Sequence, residues 1–226
     1  PATYTLDIEP TSLPPLLLEG VQFEASTHTT RLPDEARQRV TVRGTLIADD
    51  FTRLPITNAT VALFDDTGRR VSTRGSTDED GRYVVQVWPA QTARTLSLRA
   101  ISADPAERPL PTLSRTVEIP VGSSAVVDQH VVAGDLGTTV DVRGTVFNDT
   151  LPAQGAQLRF VSEVGGWPFA QQASTDRAGV FKARLYPGKY VVDVLPSDSN
   201  ERPLRYLRQQ VEVAPSGTVL NLSVGL

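Results

Sequence analysis

The run Ser76-Thr77-Asp78-Glu79-Asp80-Gly81 places side-chain oxygens at alternate positions before a glycine, which is the opening chemistry of a calcium loop. Calcium takes about 6–8 oxygen ligands, and an EF-type loop starts on Asp and closes on Glu at its twelfth position. Here the first position is Ser76 and the twelfth is Val87, so a turn is the better reading, with Asp78 bonding its own backbone. Asp49-Asp50 and Asp65-Asp66 read as loop carboxylates in the same way. Proton-transfer chemistry would fall to His28 or His130, the two histidines, and neither has an obvious partner. No nucleophile elbow is visible. A Ser-His-Asp set is made of spatial neighbours, so the sequence leaves that alternative open. There is no cysteine, which removes disulfides, thiolate catalysis and Cys-ligated zinc.

Binding chemistry is better represented. Gly165-Gly166-Trp167-Pro168-Phe169 reads as a loop or edge segment carrying two large rings. Trp167 and Phe169 are the candidate binding residues: an exposed Trp stacks on a sugar face or anchors a protein partner. The alternative is that Trp167 caps the open end of its own sandwich. Trp88 is matched by Tyr186 at the same position of a repeat, which points to packing. Asn58-Ala-Thr60, Asn148-Asp-Thr150 and Asn221-Leu-Ser223 fit the glycosylation sequon, relevant only in a eukaryotic secretory setting. No cofactor and no metal site are assigned.

The elements that must position these residues have a period of two. Val40 and Val42 alternate with Thr41 and Arg43, Tyr190, Val192 and Val194 with Val191 and Asp193, and Val211 and Val213 flank Glu212. Such alternation turns one face to a core and the other to solvent. Gly, Pro, Asp and Ser clusters separate these segments, and no stretch reads as a long amphipathic helix. Short strands with frequent turn signals indicate an all-β sandwich. The chain has 226 residues, a net charge of −4 and 39% hydrophobic residues, ordinary for a globular protein. Mild acidity argues against a nucleic-acid partner. No apolar run reaches the ~20 residues of a membrane helix. No signal peptide is visible and residue 1 is Pro, so the chain reads as a fragment or processed product.

Internal repetition sets the domain plan. Val40-Thr-Val-Arg-Gly-Thr45 recurs 100 residues on as Val140-Asp-Val-Arg-Gly-Thr145. Ser76 to Gly81 recurs as Ser174-Thr-Asp-Arg-Ala-Gly179, Val87-Trp-Pro-Ala90 as Leu185-Tyr-Pro-Gly188, and Glu107-Arg-Pro-Leu110 as Glu201-Arg-Pro-Leu204. Tyr4-Thr-Leu-Asp-Ile-Glu-Pro10 is similar to Tyr190-Val-Val-Asp-Val-Leu-Pro196, and Val21-Gln-Phe23 falls where Val117-Glu-Ile119 and Val211-Glu-Val213 fall. A repeat of this length is a whole Ig-like domain. The expected plan is therefore residues 1–37 as the C-terminal strands of an incomplete preceding module, then β-sandwich modules at 38–134 and 138–226. Two strands alone do not bury a core, so 1–37 either completes a sandwich with an upstream half or adds to another sheet edge.

The glycines closing the first strands (Gly44, Gly144), the Ala-led strands (Ala59-Thr-Val61, Ala156-Gln-Leu158), the Thr-Asp-x-x-Gly-x-aromatic runs (Thr77 to Tyr83, Thr175 to Phe181) and the turn Tyr186-Pro-Gly-Lys-Tyr190 together carry a resemblance. The chain resembles the carboxypeptidase regulatory-like, or transthyretin-like, β-sandwich family, close in shape to the B-type repeats of bacterial surface adhesins. The resemblance covers 38–226 and part of 1–30; Ala90, where the family has Gly, departs from it. It implies a non-catalytic protein, not an enzyme: an extracytoplasmic spacer, stalk or assembly component at a bacterial surface or in the periplasm. Its partners would be other protein chains or neighbouring modules, engaged by strand addition. The alternative is a carbohydrate-binding accessory module of a secreted hydrolase, holding polysaccharide through Trp167 and Phe169. Adhesin repeats carry a Lys–Asn isopeptide bond with Lys on the first strand; Arg43 and Arg143 stand there, and a guanidinium cannot replace the amine. Related hydrolases need histidines and a C-terminal Tyr-Arg-Gly-Ser, where this sequence has Leu222-Ser-Val-Gly-Leu226. Only Lys182 and Lys189 are lysines among 22 basic residues, which leans bacterial. The joint Ala133-Gly-Asp-Leu-Gly137 is short, which favours a semi-rigid rod.

Overall fold

A computed structural model describes residues 3–22, 39–49, 51–122, 126–195 and 206–224. It is all-β, with no helix among these residues. By contacts the chain divides into two units, the first made of Pro1–Ile101 with Leu113–Ala133, the second of Ser102–Thr112 with Gly134–Leu226. Each unit is built as a β-sandwich.

Unit 1 opens with a hairpin, β1 (Thr3–Ile8) against β2 (Leu16–Gln22). Its first sheet is centred on β3 (Val40–Ile47), which pairs antiparallel with β6 (Arg82–Val87) and parallel with β9 (Val126–Asp128) and β10 (Val131–Val132). Its second sheet runs in the order β5 (Gly75–Ser76), β4 (Ala59–Phe64), β7 (Arg94–Ser102), β8 (Leu113–Ile119). Alternation does what the sequence requires: Val40, Val42 and Leu46 are fully buried while Thr41, Arg43 and Thr45 turn outward. They meet Val61, Leu63, Leu98 and Ile119 from the other sheet, with Tyr83 the one large ring in the core.

Unit 2 repeats the plan. β11 (Val140–Asn148) pairs antiparallel with β12 (Leu151–Pro152) and β15 (Val180–Leu185) and parallel with β18 (Thr218–Ser223). The second sheet runs β14 (Trp167–Ser174), β13 (Gln157–Val164), β16 (Gly188–Leu195), β17 (Leu207–Val213). Its core is more aromatic, gathering Phe160, Phe169, Phe181, Tyr186 and Tyr190 around Val142, Leu158, Val192 and Leu222.

The first-strand glycines have a steric reason. A Cβ on Gly44 would lie 1.5 Å from the Gln129 carbonyl oxygen, and one on Gly144 2.0 Å from that of Leu220. The closing strand crosses so near the first that only glycine leaves room. Tyr83 lies beside Gly44 and donates its hydroxyl to Gln129 O at 2.6 Å; the Phe181 ring lies beside Gly144.

The N-terminal hairpin has the register of two other hairpins. Tyr4 faces Val21, Leu96 faces Val117 and Tyr190 faces Val211. β7 and β16 each have a strand neighbour on both sides, whereas β1 has β2 alone among the described residues.

Candidate functional site

The two residues singled out for binding take different positions. Gly165 and Gly166, at φ of 57° and 81°, make the two-residue turn of the β13–β14 hairpin, and Trp167 begins β14 opposite Val164. Of the two readings, loop or edge, the segment is the edge strand of its sheet, paired with β13. Residues two apart on a strand share a face, so Trp167 and Phe169 point the same way, toward the core. Trp167 is half-buried at the margin. Phe169 is 1% exposed and lies edge-on to Tyr186 and Tyr190, with ring centroids 5.4 and 6.1 Å away. This corrects the expectation for Phe169: its ring is core, shut off from any ligand, because the parity of the strand fixes its direction.

Trp88 and Tyr186 act alike within their own units. The Trp88 indole donates to Pro15 O at 3.0 Å, and the Tyr186 hydroxyl donates to Pro109 O at 3.0 Å. Both are rings tied down through their polar hydrogen.

The oxygen cluster at Ser76–Gly81 is a turn. Asp78 Oδ1 accepts the amides of Asp80 and Arg82 at 3.0 and 2.8 Å, and Asp176 Oδ1 accepts those of Ala178 and Val180 at 2.8 and 3.0 Å. Gly81 and Gly179 both have φ of 72°, the left-handed conformation the turn demands. Thr77 and Thr175 are buried and accept the amides of Ala59 and Ala156 at 2.8 and 2.9 Å, joining the turn to the next strand. Asp49 accepts the amides of Phe51 and Thr52, and Asp65 that of Arg69. No group of three or more potential metal ligands occurs among the described residues.

His28 and Asp50 lie outside the described residues. His130 is exposed in the short link between β9 and β10, outside either strand, with Nδ1 2.8 Å from Thr45 Oγ1. The neighbouring Asp128 is engaged by Arg43 at 2.7 Å, directly opposite in the register. That hydrogen bond, with the Arg43 charge and the nearby His130, holds the Asp128 carboxyl below the ordinary aspartate range. Arg43 therefore makes a surface ion pair where the adhesin repeats place Lys.

A concavity lies elsewhere, on the outer face of the β14-β13-β16-β17 sheet. It is a cleft of about 630 Å³ over Val161, Glu163, Lys189, Val191, Gln210 and Glu212. Backbone pairing of β13 with β16 stops at Val161 and Val191. Beyond it, the Ser162 hydroxyl donates to Lys189 O at 2.6 Å in place of the ladder, and the cleft lies over this end of the sheet. Two strand positions away, Asp193 is buried between Arg159 and Arg208 in the register. It accepts the Tyr206 hydroxyl at 2.6 Å and stands 3.7 Å from Arg208 Nε. That hydrogen bond to a carboxylate, with some desolvation, raises the Tyr206 pKa above its ordinary value. A smaller hollow of about 460 Å³ lies over Asp141, Arg143, Lys182 and Arg184 on the other sheet, with Arg184 donating to Glu107 O at 3.0 Å. The larger cleft offers an apolar floor with charged margins, a surface for recognition. Its signal was in the sequence as charges on alternate strand positions, but strand partners had to be known before it took shape.

No family model matches the chain, and no curated protein matches its sequence. Among solved structures it is similar to the TIE protein of Bacillus anthracis, at 14% identity and TM-score 0.34, over 83% of this chain and 34% of that one. It is similar to a streptococcal ancillary pilin at 16% identity and TM-score 0.34, over 98% and 75% of the two chains. It is similar to BcpA, the major pilin subunit of Bacillus cereus, at 11% identity and TM-score 0.31, over 83% and 99%. The chain thus spans about a third of the TIE protein's length. At these identities and scores the likenesses carry no argument about its role.

Proposed function

We propose that the chain is a non-catalytic structural and interaction protein: a β-sandwich spacer, stalk or assembly component of an extracytoplasmic bacterial protein, at the surface or in the periplasm. The observation that carries this is the engagement of its chemistry-bearing groups in building the sandwich. The Thr-Asp turns of both units are tied to backbone amides in the same way. Placement outside the cytoplasm rests on the carboxypeptidase regulatory-like resemblance. Partners would be protein chains, and β1 supports this: its counterparts by register have two strand neighbours where it has one among the described residues, and a sheet edge suits strand addition. No helix among the described residues is long and apolar enough to cross a membrane. With Phe169 in the core, the polysaccharide alternative loses its second ring, and no observation favours it.

The test is fractionation of the source cells, followed by protease treatment of intact cells and detection with antibody to the chain. Recovery with the surface or periplasmic fraction is expected. Recovery in the cytosol would overturn the reading.

A further inference from the structure

The outer face of the β14-β13-β16-β17 sheet has a charge pattern with a geometric consequence. Along β13 the outward residues are Arg159, Val161, Glu163; along β16 they are Asp193, Val191, Lys189; along β17 they are Arg208, Gln210, Glu212. The central residues form one cross-strand row, Val161 opposite Val191 and Val191 opposite Gln210. Arg159, Asp193 and Arg208 form the row on one side. Lys189 and Glu212 are paired on the other, and Glu163 shares their cleft. On every one of the three strands, the two residues flanking the centre have opposite charge. β14 adds only Pro168, Ala170 and Gln172, which are uncharged.

We propose that this face is a two-fold docking surface for a second copy of the same chain. Consider an axis lying along the central row, across the strands and in the plane between two stacked sheets. It reverses strand direction and leaves each strand over its own copy. Glu163 then stands over Arg159 of the second copy, Lys189 over Asp193, and Glu212 over Arg208, while the valines meet across the axis. An axis running along β16 would set each charge over its like and is excluded by the same pattern. Such self-complementarity is what an isologous interface requires. Glu163, Lys189 and Glu212 have no ion pair within the chain among the described residues, whereas two of their partners, Asp193 and Arg208, already stand 3.7 Å apart and would share their charges with the second copy.

Size sets the strength. Four strands about 4.8 Å apart and five residues about 3.3 Å long make a footprint of roughly 300 Å². A standard interface covers about 800 Å² per partner. The association is therefore weak and sensitive to salt, and becomes consequential where copies are held close together. The proposal stands or falls on this face alone, independently of where the protein resides in the cell.

The experiment is analytical ultracentrifugation of the full chain at roughly millimolar concentration in low salt. The weight-average mass is expected to rise from 24.5 kDa toward twice that value and to fall back in high salt. The double variants Arg159→Glu/Arg208→Glu and Glu163→Arg/Glu212→Arg should each lose the association by tenfold or more. An equimolar mixture of the two should regain it, since all the charges again face opposites. A chain that stays at 24.5 kDa in low salt overturns the proposal, and so does a dimer indifferent to both reversals. The chain has no native cysteine, so Val161→Cys gives a second readout that leaves the charges intact. A residue on the axis meets its own copy, and a short bis-maleimide should link two chains there. A Thr116→Cys variant on the corresponding face of unit 1 should not be linked, and equal linking of both variants would sink the idea.

Discussion

Units 1 and 2 share a strand order, a glycine under the closing strand and a Thr-Asp turn, yet they use the outer face of the second sheet differently. In unit 1 that face is dressed with hydroxyls: Ser97 opposite Thr116 at its centre, and Thr95 donating to Glu118 at 2.8 Å. Its one outward ring, Phe64, is covered by Arg99, whose guanidinium carbon is 4.6 Å from the ring centroid. The two charges, Arg99 and Glu118, are on different strands and would meet neutral residues in a two-fold stack. In unit 2 the same positions carry a valine row between rows of alternating sign. The lesson is that the fold is specified by the inward residues and the turns, which match, while the outward residues are free to differ and carry whatever distinguishes one unit from the other.

The cores also differ, and this gives the largest expected effect. Phe169→Ala removes the ring packed between Tyr186 and Tyr190 and should destabilise unit 2 by about 3–5 kcal/mol. Trp167→Ala, at a half-buried margin, should cost less, about 1–2 kcal/mol. The chain has two tryptophans, Trp88 in unit 1 and Trp167 in unit 2, so fluorescence can follow one unit at a time. Chemical denaturation of Phe169→Ala should lower the midpoint reported by Trp167. An unchanged Trp167 midpoint would contradict the placement of Phe169 in the core, and would reopen its role in binding.

Next in size are the glycines under the closing strands. Gly44→Ala and Gly144→Ala each push a methyl group into a carbonyl oxygen that backbone pairing holds in place. Each should cost roughly 2–3 kcal/mol in its own unit. If Gly44→Ala is costly and Gly144→Ala is neutral, the units are not equivalent at this crossing and the comparison fails there.

These glycines were legible in the sequence, as was most of the frame. The repeat of Val-x-Val-Arg-Gly-Thr located both first strands, and the Thr-Asp-x-x-Gly runs located both turns. Tyr4 and Val21 matched a hairpin whose register the structure reproduces. Two things were hidden for physical reasons. The direction of the Trp167 and Phe169 rings was one: the segment read as a loop or edge, and only with Gly165-Gly166 as a tight turn and the edge strand beginning at Trp167 does strand parity send Phe169 into the core. The charged rows on unit 2 join Arg159, Asp193 and Arg208, residues far apart in sequence that only cross-strand pairing brings level.

A smaller effect separates Tyr83 from Phe181. The two rings take equivalent places beside Gly44 and Gly144, but only Tyr83 has a hydroxyl, and it donates to Gln129 O. Tyr83→Phe converts unit 1 to the unit 2 arrangement and should cost about 1 kcal/mol, the net worth of one hydrogen bond. Burial raises the Tyr83 pKa far above the ordinary tyrosine value. A raised pKa in the folded state gives a contribution that is complete below the unfolded pKa and is lost as pH rises toward the folded one. The wild-type advantage over Tyr83→Phe should therefore persist through neutral pH and shrink only in strong alkali, as read by the Trp88 midpoint against pH.

The smallest expected effect is at the surface, where the first strands diverge in charge. Arg43 faces Asp128 in unit 1 and pairs with it, whereas Arg143 faces Val219 in unit 2. Both members of the unit 1 pair are more than half exposed, and solvent screens such a pair almost completely. Its signature is a titration. Asp128 is held below the ordinary carboxylate range, first by the Arg43 hydrogen bond, so any stability it contributes is present above the unfolded aspartate pKa. That contribution is lost as pH falls through the lower folded value. Carboxyl NMR shifts should show Asp128 titrating at lower pH than in Arg43→Gln, with the gap closing in high salt.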